Sequence, residues 1–191
     1  MDSLQLRYAL LTNIDDSTFV CAADQLNQIK TDSFFVICNN EPTNQPGQHW
    51  LGFFKLPFND YVVFFDSFAM PIQFYGNNFC SFAKRHGKVL VFSQFQYQSD
   101  SSNLCGGYCL YVLINCSRGR SFNDVLSDFS LVDKKMNDKI IQDFIDKIRF
   151  PKFSSCYLCR TGQCKHNLSS VCIQNNKHCV KLSGKLSFHD G

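Results

Sequence analysis

The stretch Gln98-Ser99-Asp100-Ser101-Ser102-Asn103-Leu104-Cys105-Gly106-Gly107-Tyr108-Cys109 joins a polar segment to an apolar one. Its first half has neither a helical nor a strand period, and its serines and asparagine are preferred N-cap residues. We therefore expect a helix to begin within a residue or two of Cys105. The apolar positions that follow have helical spacing, at Cys105, Cys109, Leu110, Leu113 and Ile114.

The predicted helix start gives Cys105 an unusual environment. A thiol at a helix N-terminus faces unpaired backbone N–H groups and the positive end of the helix dipole, and both favour the thiolate. Gly106 and Gly107 directly behind it are expected to keep the space above the sulfur free of side chains. A cysteine at a helix start is also found as an inert core residue, so this stretch alone leaves both roles open.

Length and composition are those of one globular domain with a small appendage. The chain has 191 residues, of which 45% are apolar and 20 are phenylalanine, which is ample for a packed interior. The net charge of +3 permits an acidic partner such as nucleic acid but does not require one.

Localisation and redox state are inferred from what the sequence lacks. No run of 18 apolar residues is present, and the first residues do not resemble a secretory signal, so we expect neither a membrane span nor secretion. Eleven cysteines then indicate reduced thiols, a nucleophile or metal ligands before they indicate disulfides.

The element pattern predicts an α+β domain, with strands in the middle of the chain and helices around them. Strands are expected at residues 34–38, 49–54, 61–66 and 88–92, with a short further piece at 95–97. Helices are expected at residues 73–86 and 105–116, in a short segment from Ser121, and along the amphipathic stretch that ends before Pro151. Composition changes there, so we place a domain at residues 1–151 and a cysteine-rich tail at 152–191.

Three further side chains complete a candidate catalytic set around Cys105. His49 lies where a Pro/Gly loop meets a buried strand, and it could accept the thiol proton. Asp66 ends the neighbouring strand and could orient the imidazole. Gln98 could donate its amide to an oxyanion together with the Cys105 N–H. Each alone has an ordinary explanation, namely a strand-edge histidine, a turn aspartate or a solvated glutamine, and their order along the chain is what favours catalysis.

This pattern resembles that of the adenovirus-type cysteine endopeptidases (adenain). His49-Trp50 is followed by Asp66 after 17 residues, and Gln98 precedes Cys105-Gly106 by seven. The similarity is closer to relatives from Maverick/Polinton elements and adenovirus-like viruses, where segments like 44–50 and 65–68 hold the histidine and the acid. It covers roughly residues 18–130. Adenain has glutamate at the acid position, whereas the wider clan of ubiquitin-like-protein proteases has aspartate.

The resemblance implies a papain-like fold with a central mixed sheet flanked by helices. It implies that Cys105 attacks the peptide carbonyl, His49 acts as base and then acid, Asp66 fixes the tautomer, and Gln98 holds the oxyanion. Trp50 and Gly106 would line a narrow substrate cleft, which in this clan suits small residues. Trp50 is about equally well explained as a core aromatic.

The tail offers weak metal candidates, Cys156, Cys159, Cys164 and His166, with Cys172, His178 and Cys179 beyond them. One structural zinc would explain the clustering, but the spacing matches no specific zinc motif, and free thiols in a polar tail are the alternative. No cofactor is expected for the chemistry itself. In adenain a peptide and DNA stimulate activity, and no residues of this chain match those contacts.

Together these features predict a monomeric viral or mobile-element endopeptidase that cleaves capsid or other virion precursors in the host cytoplasm, the nucleus or the virion. One alternative within the same chemistry is a protease for ubiquitin-like modifiers. Another is a module without activity whose tail binds metal or nucleic acid.

Overall fold

A computed structural model describes residues 1–148 and residue 150, together with the backbone of residues 171–175 and 178–182. The helices are α1 Ser3–Asn13, α2 Asn77–His86, α3 Cys105–Ser117, α4 Phe122–Leu126 and α5 Lys134–Lys147, and short 3₁₀ turns lie at Leu26–Gln28 and Ile72–Tyr75. The strands are β1 Thr18–Cys21, β2 Phe34–Asn39, β3 Trp50–Lys55, β4 Tyr61–Phe65, β5 Val89–Phe92, β6 Val171–Asn175 and β7 His178–Leu182.

The first five strands form one mixed sheet in the order β1-β2-β3-β4-β5, and β6 pairs with β7 as a separate antiparallel ribbon. Both outer pairs, β1 with β2 and β4 with β5, are parallel, whereas β2–β3 and β3–β4 are antiparallel. The fold is thus α+β with a central mixed sheet flanked by helices, as the sequence predicts.

Both faces of this sheet are buried, which explains why its central strands are apolar without alternation. In β2, Phe35 and Ile37 face the core that is shared with α1, α3 and α5. Phe34, Val36 and Cys38 of the same strand face a second core, to which α2 contributes Phe79, Phe82 and Ala83.

The weak pattern of residues 1–18 leaves either an irregular or a short helical entry open, and the structure forms the helix α1 there. Asp2 caps α1, since its side chain accepts from the Gln5 backbone while the Gln5 side chain accepts from the Asp2 backbone. The strand β1 follows it, although the sequence predicts the first strand only at residue 34. A strand of four residues is too short for its pattern to stand out in the sequence.

The prediction of a short strand at residues 95–97 is wrong. Those residues are irregular, and the Tyr97 N–H donates to the Ser67 carbonyl at 2.9 Å instead of pairing with β5. The helix expected at residues 73–86 is also divided, because Gly76 has φ +93°, a left-handed value that ends the 3₁₀ turn before α2 begins.

No helix in the described part of the chain is long and apolar enough to cross a membrane. The domain boundary predicted near residue 151 adjoins residues outside the described ranges, and it stays a prediction.

Candidate active site

The structure brings His49, Asp66 and Cys105 together at one end of the sheet. His49 directly precedes β3, Asp66 directly follows the antiparallel neighbour β4, and Cys105 is the first residue of α3. His49 Nε2 lies 2.6 Å from Asp66 Oδ1, and the ring is close enough to the Cys105 thiol for each group to shift the pKa of the other. Because Nε2 faces the carboxylate, Nδ1 is the ring nitrogen available to the sulfur.

Asp66 is fully buried, and donors surround its carboxylate. Besides His49, Oδ1 accepts from the Phe68 N–H at 3.0 Å, while Oδ2 accepts from the Met70 N–H at 2.9 Å and the Tyr75 hydroxyl at 2.7 Å. Burial alone would raise the pKa of this carboxyl, but His49, the Phe68 amide and Tyr75 outweigh it and hold the pKa below its usual value. Asp66 is therefore ionised, with both oxygens satisfied.

His49 is held as the charged imidazolium. Burial alone would lower its pKa, but the hydrogen bonds and charges of Asp66 and Cys105 outweigh that effect and raise the pKa to about 9. His49 is only 9% exposed, and its ring lies against the rings of Phe68 and Tyr75, with centroids 5.2 and 6.1 Å away.

The pKa of the Cys105 thiol is shifted in the opposite direction, below its usual value. Burial would raise the pKa of the thiol, but the hydrogen bond and charge of His49, with backbone hydrogen bonds from Trp50 and Gly106, outweigh it and lower the pKa. A raised histidine pKa beside a lowered cysteine pKa favours the thiolate–imidazolium form of the pair, the form in which a cysteine is nucleophilic.

The helix α3 begins at Cys105, as the sequence predicts, but the side-chain cap expected from the preceding polar residues is absent. Leu104 occupies the cap position, and its side chain makes no capping hydrogen bond. An uncapped N-terminus leaves N–H groups directed at the sulfur and at any oxyanion formed beside it.

Gly106 and Gly107, which follow Cys105, lie close to different side chains. A Cβ at Gly106 would lie 3.2 Å from both Leu6 and Trp50, so Gly106 allows α3 to pack closely against these side chains, and its place in a substrate cleft stays a prediction. A Cβ at Gly107 would come 2.5 Å from Ile145 of α5, so Gly107 allows close helix packing and does not clear space above the sulfur.

Gln98 lies in the segment before α3 and is fully buried, so its alternative interpretation as a solvated loop residue is wrong. Its Nε2 donates to the Ser102 carbonyl at 2.8 Å, and its Oε1 accepts from the Ser67 hydroxyl at 2.7 Å. The backbone around it is tied to α5, since Asn137 Nδ2 donates to the Tyr97 carbonyl at 3.0 Å.

Trp50 is half-buried, packs against the core and lines a cavity of about 420 Å³. The cavity also contains Gly47, Gln45 and Glu41 from the loop before His49, together with Arg7 of α1. The core-aromatic interpretation of Trp50 therefore describes its packing, whereas neither His49 nor Cys105 lines this cavity, and the role of Trp50 as a wall of the substrate cleft stays a prediction.

Cys109, one turn beyond Cys105, is a buried structural cysteine. It is completely buried, and its Sγ donates to the Trp50 carbonyl at 3.4 Å. Burial, together with the charges of Cys105 and Asp66, raises the pKa of this thiol well above its usual value, so it stays protonated.

Three residues of the site carried no usable sequence signal as participants. Asn40 fixes the backbone of His49 with two hydrogen bonds. Its N–H donates to the His49 carbonyl at 2.9 Å, and its Oδ1 accepts from the His49 N–H at 2.8 Å. Tyr75, at the end of the 3₁₀ turn, donates its hydroxyl to Asp66 from nine residues along the chain. Ser67 directly follows Asp66, and its hydroxyl donates to Gln98.

Removing the Tyr75 hydroxyl tests whether it supports Asp66. Tyr75→Phe should lower the free energy of unfolding by about 1–2 kcal/mol, since a hydrogen bond to a buried charge is lost. If the His49–Asp66 pair weakens by about 1 kcal/mol, catalysis should slow about fivefold. Tyr61→Phe is the matched control, because Tyr61 lies at the exposed start of β4. Equal effects of the two changes would contradict a supporting role for Tyr75.

The candidate metal ligands Cys156, Cys159, Cys164 and His166 lie outside the described residues, as do the side chains of Cys172, His178 and Cys179. Within the described ranges, no group of three or more His, Cys, Asp or Glu side chains is placed to hold a metal ion. The zinc prediction for the tail stays a prediction.

No family model and no curated protein matches this sequence. Among solved structures, the chain is similar to two crystal structures of the ASFV pS273R protease, each at 14% sequence identity. The selenomethionine form gives a TM-score of 0.45 over 64% of this chain and 46% of that chain, and the second structure gives 0.49 over 71% and 61%. The chain thus spans between about half and three fifths of the length of these proteases.

Proposed function

We propose that this chain is a cysteine endopeptidase of the papain-like, adenain and ubiquitin-like-protease type. The observation that carries the proposal is the thiolate–imidazolium pair of Cys105 and His49, with His49 Nε2 held 2.6 Å from the buried Asp66 carboxylate. A base-activated thiol at a helix N-terminus is built for nucleophilic attack on a carbonyl.

In the proposed reaction the Cys105 thiolate adds to the scissile peptide carbonyl and forms a tetrahedral oxyanion. The Cys105 N–H and the Gln98 amide stabilise that oxyanion. The His49 imidazolium then protonates the leaving amine, which leaves a thioester on Cys105. The neutral imidazole finally takes a proton from water as it attacks the thioester, and the free acid product departs.

We further propose that the natural substrates are capsid or other virion precursors of a virus or virus-like mobile element. The support is the motif of His49-Trp50, Asp66, Gln98 and Cys105-Gly106, with its adenain-like spacing. A protease for ubiquitin-like modifiers would use the same chemistry. Labelling of Cys105 by a ubiquitin or SUMO vinyl sulfone would favour that substrate class, and cleavage of capsid proteins encoded beside this gene would favour the first.

The activity itself can be tested without a known substrate. A proteome-derived peptide library is incubated with the protein under reducing conditions, and new N-termini are identified by mass spectrometry. Cleavages that appear with the wild type and not with a Cys105 variant support the proposal. A library left intact by both proteins would contradict it.

The pH dependence of the Cys105 thiol separates a protease from a module without activity. Because the pKa of Cys105 is lowered, alkylation by iodoacetamide at pH 6 should be faster than that of an ordinary thiol, and it should fall as the pH drops through that lowered pKa. Peptide hydrolysis should fall again above about pH 9, where His49 loses the proton that the leaving amine needs. The raised His49 pKa also contributes stability that is fully present below its unfolded pKa, near 6.5, and is lost as the pH rises through about 9.

The control for this profile is His49→Ala, in which alkylation should shift to the pH range of an ordinary thiol, near about 8.5. Labelling is quantified on the peptide that contains Cys105, because the chain has other cysteines. An ordinary thiol profile in the wild type would favour the module without activity.

A further inference from the structure

Ser67 joins the acid of the site to its oxyanion donor. It directly follows Asp66 in the chain, is fully buried, and bonds to the segment that carries Gln98. Its carbonyl accepts the Tyr97 N–H at 2.9 Å and the Gln98 N–H at 3.1 Å, and its hydroxyl donates to Gln98 Oε1 at 2.7 Å. One residue thus makes three hydrogen bonds to this segment.

These partners fix which way the Gln98 amide points. The Ser102 carbonyl can only accept, so the amide nitrogen must face it, at 2.8 Å. The amide oxygen can only accept, so the Ser67 hydroxyl must be its donor. Nε2 carries two protons, and after the bond to Ser102 it has a second N–H to offer.

The backbone of the segment is anchored independently of the Ser67 side chain. Asn137 donates to the Tyr97 carbonyl at 3.0 Å, and Asp138 accepts from the Ser99 hydroxyl and from the Tyr108 hydroxyl. Loss of the Ser67 hydroxyl would therefore leave the path of the chain in place. It would leave the Gln98 amide with its bond to the Ser102 carbonyl but without the donor to Oε1, so rotation about its last torsion would be opposed by one of these two hydrogen bonds instead of both.

We propose that Ser67 is a positioning residue that holds the Gln98 amide with its second N–H available to the oxyanion. Rotation of the amide would exchange oxygen for nitrogen and present an acceptor to a negative charge, which would repel it. The proposal rests on the proposed function, because it assigns a task within the same reaction.

Two reactions of Cys105 separate the oxyanion from the thiolate. With p-nitrophenyl acetate the thiolate adds to the ester carbonyl, an oxyanion forms, p-nitrophenolate leaves, and the cysteine is acetylated. With iodoacetamide the thiolate displaces iodide at a saturated carbon, and no oxyanion forms. The ratio of the two rates, both measured on the Cys105 peptide by mass spectrometry, therefore reports oxyanion stabilisation alone.

Gln98→Ala should slow acetylation about 100-fold, as expected for loss of one oxyanion donor. Ser67→Ala should slow it about tenfold, and alkylation by iodoacetamide should keep its wild-type rate and pH profile in both variants. The double variant should acetylate no more slowly than Gln98→Ala, because Ser67 acts only through Gln98. Ser67→Cys, which keeps a weaker donor, should lie between the wild type and Ser67→Ala, and it replaces the alanine variant if that one does not fold.

Ser93→Ala is the matched control. Ser93 is also a buried serine beside the acid, but its hydroxyl donates to the Asp66 carbonyl at 3.0 Å and not to Gln98. Any effect of Ser93→Ala on acetylation should therefore multiply with that of Gln98→Ala, in contrast to Ser67→Ala.

The outcomes distinguish this proposal from the proposed function. If Gln98→Ala slows acetylation while Ser67→Ala does not, or if their effects multiply, the positioning role is wrong and the endopeptidase proposal stands. If the wild type acetylates no faster than free cysteine, both proposals fail.

Discussion

Replacing Cys105 with alanine should lower kcat/KM for peptide cleavage by at least about 10⁴-fold, the scale seen when a catalytic nucleophile is removed. The loss has one physical cause, since no other group in the described site can form the covalent intermediate. Folding should be little affected, because alanine at the first position of α3 removes one sulfur from a residue that is still 7% exposed. Cleavage of the peptide library and thermal unfolding are the two measurements.

The control for this variant is Cys116→Ala, on the same helix. Cys116 is buried, and burial raises the pKa of its thiol to about 12, so it is neither accessible nor ionised at neutral pH. Cys116→Ala should keep wild-type cleavage and lose some stability because it leaves a small cavity. Retention of cleavage in Cys105→Ala would contradict the assignment of the nucleophile.

Asp66→Asn should lower both activity and stability. Four donors converge on the carboxylate, from His49, Phe68, Met70 and Tyr75. An amide offers one oxygen and turns an N–H₂ group toward the remaining donors, so we expect a loss of about 2–4 kcal/mol in the free energy of unfolding. Without the charge, burial would lower the pKa of His49, and kcat should fall about 10³–10⁴-fold.

Two measurements test the Asp66 prediction separately from a general loss of folding. Alkylation of Cys105 at pH 6 should slow in folded Asp66→Asn, because a neutral His49 no longer stabilises the thiolate. The stability difference should also shrink in acid, since a lowered carboxyl pKa gives stability above its unfolded value that is lost as the pH falls through the folded one.

Asp60→Asn is the matched control for this change. Asp60 directly precedes the same strand, β4, and forms an exposed ion pair with Lys88. Its replacement should leave cleavage and the Cys105 alkylation profile unchanged. If Asp66→Asn behaved like Asp60→Asn, Asp66 would not be the group that orients His49.

The predictions that succeeded concern residues whose position follows from local pattern. Strands β2, β3 and β4 were predicted within a residue or two of their observed bounds, because a sheet covered on both faces requires continuous apolar runs. The start of α3 at Cys105 was predicted from an abrupt change from polar to apolar spacing. Placing His49 and Asp66 at the same end of neighbouring strands followed from a short hairpin between them.

The predictions that failed depend on partners that are distant in sequence. Residues 95–97 resemble a strand, yet the Ser67 carbonyl takes the Tyr97 N–H that a strand would need. The sequence predicts that Gly107 keeps the space above the sulfur free. A Cβ at this position would instead collide with Ile145 of α5, so the glycine allows α3 and α5 to pack closely.

The sequence by itself therefore determined the identity and order of the candidate catalytic residues, together with the central strands and the helix start that carry them. These depend on side-chain chemistry and on periodicities within a few residues. Only the tertiary structure decided how the site is held, through Asn40 on the His49 backbone, Tyr75 on Asp66 and Ser67 on Gln98. Such bonds join loops that are packed together by the shared core, and hydrogen bonds between loops leave no periodic trace in the chain.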